Sequence, residues 1–140
     1  MPGCAAVDLD FSSFDPSRAL AAILHCDARQ ITTRTAKSLP AYLALEAMAQ
    51  TCGLHLRQRH DFRVQAYLVS MTDLPYDPGF GVEPLTISAT LDAETRAGAS
   101  YSLTVNDDPA GRIVMGRHGF TDAPDTLFRN RFACLSSTFA

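Results

Sequence analysis

Apolar and polar residues alternate along most of this chain, and one stretch breaks the alternation. Residues 19–26 form an apolar run that ends at the turn-like Asp27-Ala28-Arg29-Gln30. Residues 31–37 alternate and are rich in Thr, so the two segments predict a hairpin, although residues 18–24 alone also fit a helix. Residues 64–72 predict a strand. Residues 74–81 carry two prolines and two glycines, which excludes regular structure. Residues 82–94 and 99–106 alternate again, with Leu85, Ile87, Ala89 and Leu91 on one face and Tyr101, Leu103 and Val105 in phase. Residues 106–111 hold Asn, Asp, Pro and Gly and read as a tight turn, after which residues 112–120 close the sheet. The exception is residues 39–50, apolar on nearly every side. With Pro40 suited to a first helical turn, it predicts a helix from about residue 40 to residue 59.

A helix that is apolar all round is normally buried, yet this one carries Glu46. A buried carboxylate is costly to ionise, so its pKa is expected to rise, and a raised carboxylate suits acid–base chemistry. The alternative is that Glu46 faces solvent or an interface at the helix edge.

The bulk properties narrow the classes. A length of 140 residues predicts one domain with a single core. The net charge of −3 and the lack of a basic run give no case for nucleic acid. Arg57, Arg59 and Arg63 are the densest basic group. They read as a solvated helix end, where cations are favoured, or as a docking spot for an acidic or phosphate-bearing carrier. No apolar stretch approaches the roughly 18 residues of a membrane span. The first residues lack a basic start and a long apolar run, so a cytoplasmic location is expected. Cys4, Cys26, Cys52 and Cys134 are widely spaced, which supports neither a disulfide framework nor a metal site. Cys26 and Cys52 read as small core residues. Residues 1–16 read as a lead-in anchored by Phe11 and Phe14, and residues 121–140 as a C-terminal tail.

The helix opening resembles that of the 3-hydroxyacyl-ACP dehydratases of fatty-acid, polyketide and aryl-polyene synthesis. Their central helix starts at a Pro-Gly pair, runs through aliphatic residues to an acidic residue, and continues Ala-x-x-Gln. Pro40, Glu46, Ala47 and Gln50 fall on that pattern, with Ala41 in place of the Gly. The resemblance implies an α+β hotdog fold, an antiparallel sheet of five to six strands around one long central helix. The core would span residues 19–120 of a single domain covering 1–140. It also implies an acyl carrier protein or coenzyme A thioester as partner, no cofactor or metal, no membrane, and pairing as a homodimer or with another hotdog subunit. Glu46 is then the catalytic carboxylate. Pro40, Ala41, Tyr42 and Gln50 contact substrate, with N–H groups near Ala41 and Tyr42 polarising the thioester carbonyl.

The family places a His in the loop before the helix. Residues 32–39 contain none. Among the histidines present, His25 is the catalytic candidate. His55 lies nine residues after Glu46, about 13 Å along the helix axis and on another face. His60 sits at the helix C-terminus, and His118 reads as exposed. Three functions stay open: a dehydratase with an altered site, a thioesterase working through Glu46 with Gln50 beside it, and a non-catalytic subunit that pairs with an active dehydratase.

Overall fold

The computed structural model describes residues 19–36, 41–74 and 83–137, apart from the side chains of Ala41 and Tyr42. The expected lead-in, the segment 75–82 and Pro40 lie outside the described residues. Strands β1 (Leu20–Cys26) and β2 (Gln30–Thr35) come first, then helix α1 (Ala41–Arg59) and strands β3 (Gln65–Thr72), β4 (Thr86–Thr95), β5 (Gly98–Val105) and β6 (Asp108–His118). The six strands form one antiparallel sheet in the order β1-β2-β4-β5-β6-β3. Helix α1 touches every strand, so the sheet curls around it.

The alternation is faithful where the sheet faces α1. Ile87, Ala89, Tyr101, Leu103, Val105, Ile113 and Met115 are all buried against the stripe Ala44, Ala47, Met48, Thr51, Cys52 and His55. Polar groups in this layer are matched. Thr51 donates its hydroxyl to the Ala47 carbonyl at 2.7 Å and accepts from Thr33 at 2.8 Å. Thr35 accepts from the Leu85 N–H at 2.8 Å.

Three expectations need correction. The strand expected from residue 82 starts at Thr86. The last strand begins at Asp108, because the hairpin closes through Asn106 and Asp107 alone, whose φ values of 51° and 71° make a primed two-residue turn. Pro109 is tolerated inside β6 because pairing with β3 extends only as far as Arg112. Finally, the helical structure is not one long central helix. The expected tail contains a second helix, α2 (Thr126–Ser137). Asp125 caps it by accepting the N–H groups of Leu127 at 3.0 Å and Phe128 at 3.3 Å. Helix α2 packs mainly on β1, buries Leu135 in the core, and sets Phe132 edge-on against Phe62.

Candidate functional site

Glu46, Gln50, Gly53 and Arg57 recur at helical spacing and form one stripe of α1. This stripe floors a groove of about 440 Å³ whose walls are β3 (Ala66, Tyr67, Leu68) and α2 (Phe128, Arg131). That size suits a small-molecule ligand. Gly53 lets Arg57 and Met115 close down on the floor. A methyl group there would come within 3.2 Å of Arg57 Nη1 and 3.4 Å of Met115 Cε.

The polar groups of the groove are chained. Arg131 Nη2 donates to Gln50 Oε1 at 2.9 Å, which turns the amide nitrogen of Gln50 toward Glu46 Oε1 at 3.1 Å. Further along, Phe128 covers the Arg57 guanidinium, its ring centroid 3.8 Å from Cζ, and Arg57 Nη2 donates to the Ala66 carbonyl at 3.1 Å. Burial holds the Arg57 pKa below its ordinary value, and the charge of Asp125 opposes this.

The premise of a buried Glu46 is corrected. Most of α1 is buried, but Glu46 is exposed at the groove. Ala41 and Tyr42 lie in the first turn, where their N–H groups lack intrahelical acceptors. Glu46 and Gln50 are brought together as expected. His25 is not joined to them. It projects, exposed, from β1 at the opposite edge of the sheet from β3 and binds Asp27 Oδ2 at 2.8 Å. Asp27 in turn organises the hairpin turn. The N–H of Arg29, with His25 and the N–H of Gln30, holds its carboxyl down to about 2.

His55 and His60 are structural, and His118 is exposed at the end of β6, as expected. His55 is fully buried. Its Nε2 lies 2.9 Å from the Asp27 carbonyl, so Nε2 carries the proton and Nδ1 accepts from the Tyr101 hydroxyl at 2.8 Å. Burial lowers the His55 pKa and raises that of Tyr101. His60, Arg59 and Arg117 surround Glu94 at 2.6, 2.8 and 3.3 Å at the C-terminal end of α1. Burial alone would raise Glu94, but the hydrogen bonds from His60 and Arg59 outweigh it and hold the carboxyl low. Of the basic trio, Arg57 is thus a groove residue and Arg59 half of an ion pair, while Arg63 lies 3.8 Å from Asp61. Cys52 is buried and Cys26 half-buried, the latter pushed up to about 11 by burial and then by Asp27. Among the described residues, no cluster of His, Cys, Asp and Glu could hold a metal, and no helix is long and apolar enough to cross a membrane.

Sequence reasoning missed Tyr67, Met115, Phe128 and Arg131. The signal for α2 was present: Asp125 in a capping position, then Phe128, Phe132 and Leu135 at helical spacing.

Solved structures share this arrangement of sheet and helix. The dehydratase heterocomplex ApeI:P from Xenorhabdus doucetiae aligns at a TM-score of 0.58 and 17% identity, over 75% of this chain and 86% of that one. The hotdog architecture is therefore established. Two further hotdog likenesses are a Staphylococcus aureus thioesterase, SAV0944, and the Escherichia coli PaaI protein of the phenylacetic acid degradation operon. SAV0944 aligns at a TM-score of 0.58 and 9% identity, over 70% of this chain and 93% of that one. PaaI aligns at 0.58 and 14% identity, over 85% and 92%. No protein-family model and no curated protein sequence matches the chain.

Proposed function

We propose that this hotdog chain handles acyl thioesters in the groove beside α1, as a 3-hydroxyacyl-carrier dehydratase-type protein of fatty-acid or polyketide-type synthesis. The supporting observation is the chain Arg131–Gln50–Glu46, which runs from the wall to the floor of the groove. The acyl chain lies along α1, delivered on an acyl carrier protein or coenzyme A. The N–H groups of the first turn, at Ala41 and Tyr42, polarise the thioester carbonyl. Glu46 works at the adjacent carbons.

Dehydration takes a proton from the carbon alpha to the carbonyl and expels the C3 hydroxyl as water. It therefore needs a base and an acid. The groove lining supplies a carboxylate and no histidine. In this reading the second group comes from another hotdog chain, paired along the β3 edge, where Tyr67, Leu68 and Val69 are 52%, 45% and 57% exposed. That the similar Xenorhabdus structure is a dehydratase heterocomplex supports a reading in which two different chains make the enzyme. Thioester hydrolysis is the second reading. One carboxylate with an oriented amide one turn away suffices for it, and SAV0944 is a thioesterase.

Intact-mass analysis of carrier protein loaded with a 3-hydroxyacyl chain separates these. The carrier is incubated with the chain alone and with a histidine-bearing hotdog chain co-expressed from its own gene neighbourhood. Loss of one water only in the mixture supports the two-chain dehydratase. Loss of the whole acyl group with the chain alone makes it a thioesterase. An unchanged mass in both overturns the proposal.

A further inference from the structure

Arg57 crosses the groove from wall to wall. Its Nη2 donates to the Ala66 carbonyl of β3 at 3.1 Å, and its Cζ lies 3.8 Å from the centroid of the Phe128 ring on α2. Its Nη1 folds back over Gly53, where it and Met115 Cε come within 3.2 and 3.4 Å of the position a methyl group would take. Long helical side chains lean toward the helix N-terminus, which brings the guanidinium level with Gly53, one turn before its own Cα. The Nε atom is shut off from solvent and has no acceptor among the described residues. The group is therefore packed in place as a bar across the groove. Asp125 supplies an opposing charge and is itself tied to Gln65 Nε2 at 3.2 Å.

The second observation is the span in front of the bar. Between Glu46 and the guanidinium the lining includes Ala49, Gln50, Leu68 and Met115, and Arg57 is the last residue of α1 in it. Glu46 and Gly53 are seven residues apart, about 10 Å along the helix. An extended alkyl chain advances about 1.3 Å per carbon–carbon bond at ordinary bond lengths and angles, so about seven bonds fill that span. A longer chain would have to break the hydrogen bond to Ala66 and lay methylene groups on a desolvated cation. Both are unfavourable.

We infer that Arg57, held under Phe128, is the end stop of the acyl groove, and that the groove is matched to medium-length acyl groups of about ten carbons. The inference rests on the acyl-thioester reading of the groove and names the substrate class within it. The carbonyl, alpha and beta carbons lie at the reacting end beside Glu46, and about seven more reach the bar. The bar acts by position alone and asks for no polar group on the ligand. Its two supports, the Ala66 carbonyl and the Phe128 ring, come from β3 and α2, so neither depends on the course of α1. A chain that stops short leaves apolar lining in water, and each missing methylene weakens binding.

Calorimetry with S-(2-oxoalkyl)pantetheine probes, from butyl to hexadecyl length, tests this without turnover. The probes keep a carbonyl, resist hydrolysis and carry the arm common to coenzyme A and acyl carrier proteins. In the unmodified chain the dissociation constant should fall about two- to fourfold per methylene up to about ten carbons and then level off or rise. Arg57→Ala removes the bar and should move that break about four carbons further, the length of one helical turn. Phe128→Ala removes only the cover and should move it less. An unbroken fall to hexadecyl length in the unmodified chain, or a break that stays in place in both variants, overturns the inference and leaves the groove reading standing. If no probe binds, the groove reading falls and takes the inference with it. Should Arg57→Ala fail to fold, Phe128→Ala still decides.

Discussion

The two sides of α1 solve opposite problems with similar residues. The side against the sheet carries Thr51 and His55 deep in the core, and each is fully matched: Thr51 with Thr33 and Ala47, His55 with Tyr101 and Asp27. The side against β3 and α2 carries Glu46 and Gln50, linked with Arg131, and apart from them Arg57, whose Nε has no acceptor among the described residues. Satisfied polar groups in a core fix one packing. Groups held in position and left incomplete suit a ligand. The same helix therefore separates the polar residues that hold the fold from those that line the groove.

The largest effect expected is on the open side. Glu46→Gln should lower turnover, by either reaction, about 10²–10⁴-fold, the usual scale of an acid–base group. Its melting temperature should stay near that of the parent, because the side chain is exposed. Unfolding instead would give Glu46 a structural role. On the closed side, His55→Leu should cost about 2–4 kcal/mol in denaturant unfolding, since it leaves the buried Tyr101 hydroxyl without its acceptor and takes the imidazole N–H from the Asp27 carbonyl. Binding in the groove should change little. A shared loss would show that the two sides are coupled.

Acid should find the closed side first. Burial lowers the pKa of His55 from 6.5, so the folded chain takes up its proton at lower pH than the unfolded chain does. The stability it contributes is complete above pH 6.5 and is lost as pH falls from there toward the folded value, at up to about 1.4 kcal/mol per pH unit. Urea midpoints at pH 7.5 and 5.5 check this, and His55→Leu should flatten the difference. The smallest effect belongs to Gly53→Ala. Removing a helix-interior glycine is worth about 1 kcal/mol, and the new methyl meets the flexible end of Arg57, Met115 Cε and, at an ordinary 3.9 Å, Ala66 Cβ. A slight gain in stability with weaker ligand binding is expected by calorimetry. Unchanged binding would remove Gly53 from the groove floor.

The closed side was legible in the sequence. Period-two alternation placed Ile87, Ala89, Tyr101, Leu103 and Val105 inward, and all are buried. The apolar helix was legible too, but its apolarity on all sides concealed that Glu46 reaches the surface. Hydrophobicity alone does not say which stripe the sheet covers. The open side was mostly illegible because its walls are distant in sequence: Tyr67 stands on β3 and Arg131 on α2, 81 positions from Gln50. The segment 108–111 misled for a different reason. Asp, Pro and Gly are turn residues by habit, yet here the primed turn at Asn106 and Asp107 had already reversed the chain.

Helix α2 stands on one foot at each margin of the sheet, with Leu135 in the core beside β1 and Phe128 in the groove beside β3. The segment that leads to it, residues 119–123, is exposed throughout. A protease admitted there would sever the groove wall from the strand that precedes it while leaving all six strands on one piece of chain. Ligand affinity and heat resistance would then part company after a single cut.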